Sequence, residues 1–232
     1  QETGKDTSFS AGVDQAGTYY VGIAADNYYH DSGEYGLTVT TSNTLGSVET
    51  EDNGTLATAD VLSNGQELKG QIATSSDIDI YKISVGQAGV VSLSFDAPTS
   101  SSYTDYFAIG LYDSSGTLLA GQETGKDTSF SAGVDQAGTY YVGITADNYY
   151  HDSGEYGLTA SVSTVLGNVE TEDNSTFAKS DTLTNGQELK GQIATSSDID
   201  FYKISVGQAG SISLSFDAPT SSSYTDYFAI GL

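Results

Sequence analysis

The sequence predicts an all-β protein, an antiparallel β-sandwich that recurs in tandem every 121 residues. Three observations lead to this prediction. Residues 1–111 return almost unchanged as residues 122–232, and a period this long corresponds to a whole domain. Short runs of alternating apolar and polar residues recur along each copy, and clusters of turn-forming residues separate them. No sustained helical period accompanies them.

Five runs within the first copy carry the period-two pattern of a strand with one buried face. They are residues 19–23, 35–39, 81–85, 91–95 and 107–111. In residues 81–85, for example, aromatic and aliphatic side chains alternate with Lys82 and Ser84. Strands this short, separated by turns roughly every ten residues, are typical of a β-sandwich.

Turn signals fall between these runs. Asn64-Gly65 predicts a type I′ hairpin turn, in which both central residues need a positive φ. Residues 14–17, 86–89 and 113–116 are further clusters of Gly, Asp, Gln and Ser, which are typical of turns.

The boundaries of the repeat follow from where the two copies differ. Most differences cluster between Val39 and Ser63, which indicates linkers at 42–47 and 162–168. A complete repeat then spans 48–161. Residues 1–41 become the C-terminal part of a preceding repeat, and 169–232 the N-terminal part of the next. Because these two parts together lack only the counterpart of 112–121, we expect them to pair, within one molecule or between neighbours.

The composition narrows the classes of partner. The chain carries 7 Lys+Arg against 31 Asp+Glu, for a formal net charge of −24. Nucleic acid and anionic membrane surfaces are therefore excluded as partners, since both bind through Lys and Arg. With no Cys, no disulfide framework can form. No apolar run approaches the length of a membrane span, so we expect no membrane insertion. The chain begins inside a repeat, and we expect its true N-terminus to lie upstream.

Several short motifs follow one another through residues 48–161. They are VETEDN at 48–53, ATAD at 57–60, LKGQI at 68–72, DIDIY at 77–81, LYDSSGTLL at 111–119, GTYYVGI at 138–144 and SGEYGL at 153–158. In this order they resemble the bacterial pre-peptidase C-terminal (PPC) domain family. The resemblance implies a jelly-roll-like β-sandwich. Members of the family occur in secreted proteases, including collagen-binding modules of clostridial collagenases, and in large cell-surface proteins.

The resemblance also implies a Ca²⁺ site. In collagen-binding members, a Glu-x-Glu-x-Asn run before the first strand and carboxylates in a later Asp-rich turn hold the ion. The pattern carries over to Glu49, Glu51, Asn53, Asp77 and Asp79, and in the second copy to Glu170, Glu172, Asn174, Asp198 and Asp200. The spacing of the turn departs from those relatives, with Ser76 and Asp77 in it.

The residue types themselves leave two readings open. Ca²⁺ takes about six to eight oxygen ligands from carboxylates, amides and carbonyls. Alternate residues of an extended segment point to one side, so each acidic run would present a comb of oxygens. The alternative is a solvated acidic face in an acidic protein.

Other polar groups give weaker signals. A second acidic group lies in a loop between two strands, where it would hold a second ion or simply be solvated. It comprises Asp26, Asp31 and Glu34, repeated as Asp147, Asp152 and Glu155. His30 and His151 are the only histidines, and we interpret them as exposed loop residues. Because nothing marks a nucleophile beside them, we expect the protein not to be an enzyme.

Tyrosines mark a further candidate surface. Tyr28, Tyr29, Tyr103 and Tyr106 lie in or beside Ser-rich loops, where they would form a ligand surface or fill the edge of the sandwich.

These observations lead to a functional hypothesis. We expect a non-catalytic repeat, an extender or structural unit of a large bacterial secreted or cell-surface protein such as an adhesin or filament, stiffened by Ca²⁺. Its partners would be neighbouring repeats or copies of itself, including self-assembly into a fibre. The alternative is an accessory module of a secreted hydrolase that binds collagen, peptide or glycan.

Overall fold

A computed structural model describes residues 7–24, 33–98, 107–146, 154–219 and 228–232. The regular structure of these residues is entirely β. The strands, in chain order, are β1 (Asp60–Val61), β2 (Glu67–Gly70), β3 (Ile78–Val85), β4 (Gly89–Asp96), β5 (Phe107–Tyr112), β6 (Leu118–Thr124), β7 (Thr128–Val134), β8 (Gly138–Ala146), β9 (Tyr156–Ser163), β10 (Thr171–Glu172), β11 (Asp181–Thr182) and β12 (Tyr202–Lys203). No described segment forms a helix that could span a lipid bilayer.

Two five-stranded sheets form the sandwich. One has the strand order β1-β3-β8-β5-β6 and the other β10-β7-β4-β9-β2. Along the chain the path crosses between the sheets after every strand from β1 to β8 except β5, so most strand neighbours are distant in sequence. The predicted all-β sandwich is confirmed, and its long pairings are antiparallel. The very short strands β1, β10 and β11 add parallel pairings with β3, β7 and β12.

The core lies between the two sheets of the complete repeat. Its largest fully buried side chains are Tyr81, Tyr156, Phe95, Phe107, Ile72, Ile83, Leu93, Leu111, Ile144, Leu158, Val91 and Val134. The ring centroid of Phe95 lies 5.1 Å from that of Phe107 and 5.3 Å from that of Tyr156. Because the alternation in β3, β4 and β5 points one face inward, the apolar positions of all three predicted runs reach this core.

The turn predicted at Asn64-Gly65 differs from expectation. Gly65 has a φ of 72°, but no non-glycine residue among those described has a positive φ, so the turn is not type I′. Gln66 N donates to Ser63 O across it, which fits a type II turn that needs a positive φ at one position only. The turn is also not a hairpin, because the flanking strands β1 and β2 belong to different sheets.

The strand prediction fails within residues 7–41. Residues 19–23 and 35–39 form no strand, and Tyr20 is 91% exposed. Their counterparts in the complete repeat lie in β8 and β9, which bond to β2, β3, β4 and β5. Those partner strands come from the N-terminal part of a repeat, which residues 7–41 do not contain. An alternating run thus becomes a strand only where its partners are present.

The C-terminal partial repeat, which lacks the later strands of a repeat, also forms only part of its expected strands. β11 and β12 pair with each other, whereas residues 211–217, the counterpart of most of β4, form no strand. Within the described residues, no strand pair or bridge joins the two partial repeats to each other. Their pairing therefore stays a prediction.

Candidate metal centre

The segment that precedes the first strand carries the candidate ligands. Val48 bridges Lys69 at the edge formed by β2, and the amide of Glu49 donates to Lys69 O at 2.9 Å. This pairing fixes the start of the segment against the sandwich. The peptide bond between Glu51 and Asp52 is cis, as is its counterpart between Glu172 and Asp173.

Three carboxylates meet at this point. One carboxylate oxygen from each of Glu49, Glu51 and Asp79 lies within 4.8 Å of the other two. Asp79 comes from β3 and is fully buried, Glu49 is 4% exposed, and Glu51 is exposed. The sheet therefore brings a carboxylate from the later Asp-rich run to the two that the first acidic run supplies.

Every oxygen of Glu49 is held by a donor. Oε1 accepts from the amide of Gln71 at 2.5 Å, and Oε2 accepts from Asn53 Nδ2 at 3.2 Å and from the Tyr81 hydroxyl. The hydroxyls of Tyr81 and Tyr156 lie 2.5 Å apart, so the sandwich core ends in a polar network at the cluster. These hydrogen bonds orient Glu49 before any ligand arrives.

Other oxygens in the cluster are buried and have no partner among the described residues. They are Oδ1 of Asn53 and Oδ1 of Asp79. A buried acceptor without a donor is costly, and native structures usually supply one. A cation bound among these oxygens would satisfy them.

The electrostatics point the same way. Burial and the charge of Glu49 raise the pKa of Asp79 to about 9. Burial, with the charges of Asp77 and Glu49, raises the pKa of Glu51 to about 7. Burial also raises the pKa of Glu49, against the opposing hydrogen bond from Tyr81. Three carboxylates this close resist ionising together, and a divalent cation would remove that resistance.

The second copy repeats the arrangement. Glu170, Glu172 and Asp200 form the corresponding group within 4.8 Å. Glu170 accepts from Asn174 Nδ2 at 3.1 Å, from the amide of Gln192 and from the Tyr202 hydroxyl. Among the described residues, the buried oxygens without a partner in this cluster are Oε1 of Glu172, Oδ1 of Asn174 and Oδ1 of Asp200. Burial raises the pKa of Glu172 to about 8 and that of Asp200 to about 7.

Asp77 and Asp198 have a different environment from the other predicted ligands. Asp77 accepts from the amides of Ala73 at 2.7 Å and Ile78 at 3.0 Å, and Asp198 accepts from the amide of Ala194 at 2.8 Å. Both carboxylates thus cap their own turn. Neither belongs to the three-carboxylate groups, although the charge of Asp77 helps to raise the pKa of Glu51.

Several residues of the site were not anticipated. Tyr81, Tyr156 and Tyr202 supply the hydroxyls around the carboxylates, and a Tyr two positions after Asp79 or Asp200 was the available signal. Gly70 leaves room for them, because a Cβ there would lie 2.5 Å from both the Tyr81 and Tyr156 hydroxyls. No sequence pattern marks this glycine as part of the site.

Asp60 and Asp181 are a second unanticipated feature. Asp60 accepts from Thr50 N at 2.7 Å and from Thr50 Oγ1 at 2.8 Å. Asp181 accepts from Thr171 N at 2.7 Å and from its Oγ1 at 2.9 Å. Thr50 and Thr171, which lie between the two glutamates of each run, are thereby hydrogen-bonded to their own repeat.

The donor set suits a hard cation. Carboxylate and amide oxygens are what Ca²⁺ and Mg²⁺ prefer, and neither His nor Cys lies in these groups. The residues present therefore fit a metal ion, and these buried acidic clusters could hold one.

The remaining candidates divide into two sets. Residues Asp26, Asp31, Asp147, Asp152, His30, His151, Tyr28, Tyr29, Tyr103 and Tyr106 lie outside the described residues. Glu34 is exposed, whereas Glu155 pairs with Lys69 Nζ at 2.6 Å and accepts from the amide of Ser10 at 3.2 Å.

Comparison with known proteins gives structural neighbours only. No protein-family model matches the sequence, and no curated protein matches it. The chain is similar to the pre-peptidase C-terminal domain of a collagenase from Bacillus anthracis, with 21% identity and a TM-score of 0.35, over 44% of this chain and 93% of that domain.

Two further solved structures are similar to part of the chain. One is a β-glucosidase from Paenibacillus barengoltzii, with 14% identity and a TM-score of 0.27, over 48% of this chain and 12% of that one. The other is a GH26-CBM35 β-(1,4)-mannanase from Podospora anserina, with 14% identity and a TM-score of 0.25, over 50% of this chain and 33% of that one.

Proposed function

We propose that this chain is part of an extracellular array of non-catalytic PPC-like repeats, in which Ca²⁺ at each acidic cluster stiffens the connection between neighbouring repeats. The array would act as an extender of a large bacterial secreted or surface protein. The acidic clusters would hold structural ions.

One observation carries this proposal. The residue that anchors each cluster also contacts the preceding repeat, since Glu49 O accepts from the amide of Gly12 and Glu170 O from the amide of Gly133, both at 3.0 Å. An ion bound by the side chains of these glutamates would therefore fix the backbone at the boundary between repeats. The arrangement occurs at both boundaries within the chain.

The ligand chemistry favours Ca²⁺. We propose Glu49, Glu51, Asn53 and Asp79 as side-chain ligands in the first cluster, and Glu170, Glu172, Asn174 and Asp200 in the second. Ca²⁺ accepts an irregular shell of carboxylate and amide oxygens, whereas Mg²⁺ demands near-octahedral geometry and keeps its waters. Binding to the folded state alone would add about 2.7 kcal/mol of stability at a free Ca²⁺ concentration near 100 times the Kd.

A thermal melt of the full chain tests the proposal. We expect the midpoint to be several degrees higher in millimolar Ca²⁺ than in excess EDTA, and Mg²⁺ to reproduce little of the shift. The variant Glu123→Gln, in which an exposed carboxylate on β6 outside both clusters is removed, should show the same shift between EDTA and Ca²⁺ as the unsubstituted chain. The same midpoint in Ca²⁺ and EDTA would contradict a Ca²⁺ site at these clusters.

A second measurement addresses the extender role against the accessory-module alternative. Binding of the chain to immobilised collagen and to a glycan array, with and without Ca²⁺, separates the two. Specific saturable binding would favour an accessory module of a secreted hydrolase. We expect none, because the proposed partners of each repeat are its neighbours.

A further inference from the structure

The backbone pairing between repeats is the feature with the most specific geometry outside the metal clusters. β10 of the following repeat lies parallel to β7 of the complete repeat, with Thr171 opposite Gly133 and Glu172 opposite Val134. The same bridge joins Gly12 to Thr50 at the other boundary. At the second boundary the following repeat thus adds one strand to the edge of the sheet before it, and at the first boundary an isolated bridge makes the equivalent contact.

A glycine makes this approach possible. A Cβ at residue 133 would lie 2.1 Å from Glu170 O and 3.1 Å from Thr171 Cγ2. At residue 12 the corresponding distances are 2.0 Å from Glu49 O and 3.2 Å from Thr50 Cγ2. Real Cβ atoms do not come this near to a carbonyl oxygen, so any other residue would force the strands apart.

The closest obstruction comes from across the boundary. The three atoms nearest to a Cβ at residue 133 belong to Glu170 and Thr171. Within its own sheet Gly133 pairs with Val90. Neither glycine has the positive φ that would explain its presence by backbone conformation.

The following repeat presents a rigid segment to this edge. Asp181 holds both the amide and the hydroxyl of Thr171, and the amide of Glu170 donates to Lys190 O at 2.9 Å. Gln192 Nε2 adds a second contact by donating to Gly121 O on β6. The strand therefore arrives preformed, which lowers the ordering cost of the contact.

We infer that the β7 edge at Gly133, and the counterpart segment at Gly12, are recognition sites for the acidic segment of the following repeat. The partner that fits these sites is a second copy of the repeat, which makes the contact through its Glu-Thr-Glu run. The glycine sets the register and the closeness of the contact. Since this pairing involves backbone groups alone, it stands whether or not a metal binds.

Amide hydrogen exchange of the full chain tests this inference. In the unsubstituted protein we expect the Gly133 amide to be protected, because it donates to Glu170 O. In Gly133→Ala we expect exchange at residue 133 to rise by about tenfold or more, with the amides of β3, β4 and β8 unchanged. The amides of Glu170 and Thr171 should also stay protected, because they donate to Lys190 and Asp181 of their own repeat. Gly86→Ala is the matched control, since no atom lies within 4 Å of a Cβ there.

Two results would overturn the inference. One is unchanged exchange at residue 133 in Gly133→Ala, and the other is an equal rise at residue 133 in the Gly86→Ala control. If Gly133→Ala loses the fold of the complete repeat, Gly12→Ala gives the same test at the other boundary. Gly12 lies outside every strand of the complete repeat and its amide donates to Glu49 O, so that amide reports the contact alone.

A Ca²⁺ titration of the same variant links the contact to the proposed function and depends on it. We expect Gly133→Ala to weaken binding at the cluster of Glu170 by several-fold and to leave the cluster of Glu49 unchanged. Failure of the unsubstituted chain to bind Ca²⁺ would contradict the proposed function alone. Loss of the exchange effect would contradict the recognition site alone.

Discussion

The hydroxyl of Tyr156, a fully buried core residue, donates a 2.5 Å hydrogen bond to Oδ2 of Asp79, a fully buried carboxylate. Tyr156 comes from the last strand of the complete repeat and Asp79 from its third. The apolar core and the acidic cluster therefore meet through this side chain, as they also do through Tyr81, whose hydroxyl bonds to Glu49. Folding of the sandwich positions the cluster, and the cluster in turn depends on the closing strand.

Replacement of this tyrosine tests that dependence. Tyr156→Phe keeps the ring but leaves Asp79 without its donor, so we expect a loss of about 1–3 kcal/mol in the free energy of unfolding in EDTA. Tyr140→Phe is the matched control, since its hydroxyl donates to Gln136 O near the surface and should cost less. Urea unfolding of both variants provides the comparison. Equal losses would show that the hydroxyl of Tyr156 has no special role.

Replacing a cluster carboxylate should have different effects in the two metal states. The raised pKa of Asp79, about 9, keeps this group largely protonated at pH 7 in EDTA, so Asp79→Asn should leave the midpoint there nearly unchanged. The same change removes a proposed ligand, so Ca²⁺ binding at the first cluster should fall by tenfold or more while the second cluster still binds. Calorimetric titration and melts of the same sample measure both effects. Unimpaired Ca²⁺ binding at the first cluster would exclude Asp79 as a ligand.

The pH dependence follows from the raised pKa values. Asp79 has a pKa of about 9 and Glu51 of about 7 in the folded state, above the ordinary values of 3.8 and 4.5. The folded state therefore holds these protons more tightly than the unfolded state. This contribution to stability is complete below about pH 4 and is lost as the pH rises toward 7 to 9.

We therefore expect the melting midpoint in EDTA to fall between pH 5 and pH 8. In Ca²⁺ the fall should be smaller, because the ion binds the ionised carboxylates and competes with their protons. A pH series of melts with and without Ca²⁺ measures the difference. A midpoint in EDTA that rises over this interval would contradict the raised pKa values.

The hydrogen bonds between Thr50 and Asp60 should contribute to stability independently of the metal site. Asp60→Ala removes both acceptors of Thr50, so we expect a loss of about 1–3 kcal/mol in the free energy of unfolding. Asp135→Ala, at an exposed position in the turn between β7 and β8, is the control and should change stability by less than about 0.5 kcal/mol. Denaturant unfolding of both variants compares them. A loss in the control as large as that in Asp60→Ala would contradict this contribution.

The sequence predicted part of this architecture for clear reasons. Alternation identified β3, β4 and β5 because one face of each strand is buried in the same core. Alternation could not show that residues 19–23 and 35–39 form no strand. The pattern tells which face of a strand would be buried, but not whether partner strands are present. The prediction of a type I′ hairpin turn at Asn64-Gly65 was wrong for a similar reason. A local pair of residues cannot reveal that β1 and β2 enter different sheets.

The site was predictable to the extent that it is local. Glu49 and Glu51 alternate along one segment, and their approach to each other follows from that spacing. Three other features depend on how distant segments of the chain pack together. They are the contact of these glutamates with Asp79, the tyrosine hydroxyls beside them, and the hydrogen bonds that Asp77 makes within its own turn. Gly133 and Gly12 resemble ordinary strand glycines until the carbonyl of the following repeat is placed beside them.

The central claim is that Ca²⁺ stiffens the boundary between repeats, and a distance measurement across that boundary tests it directly. The chain contains no Cys, so Ser114→Cys and Gln187→Cys, both exposed, can carry a pair of spin labels without background. We expect the distance distribution from double electron–electron resonance to be broad in EDTA and to narrow in Ca²⁺, with little change in Mg²⁺. A distribution of the same width in Ca²⁺ and EDTA would contradict the claim.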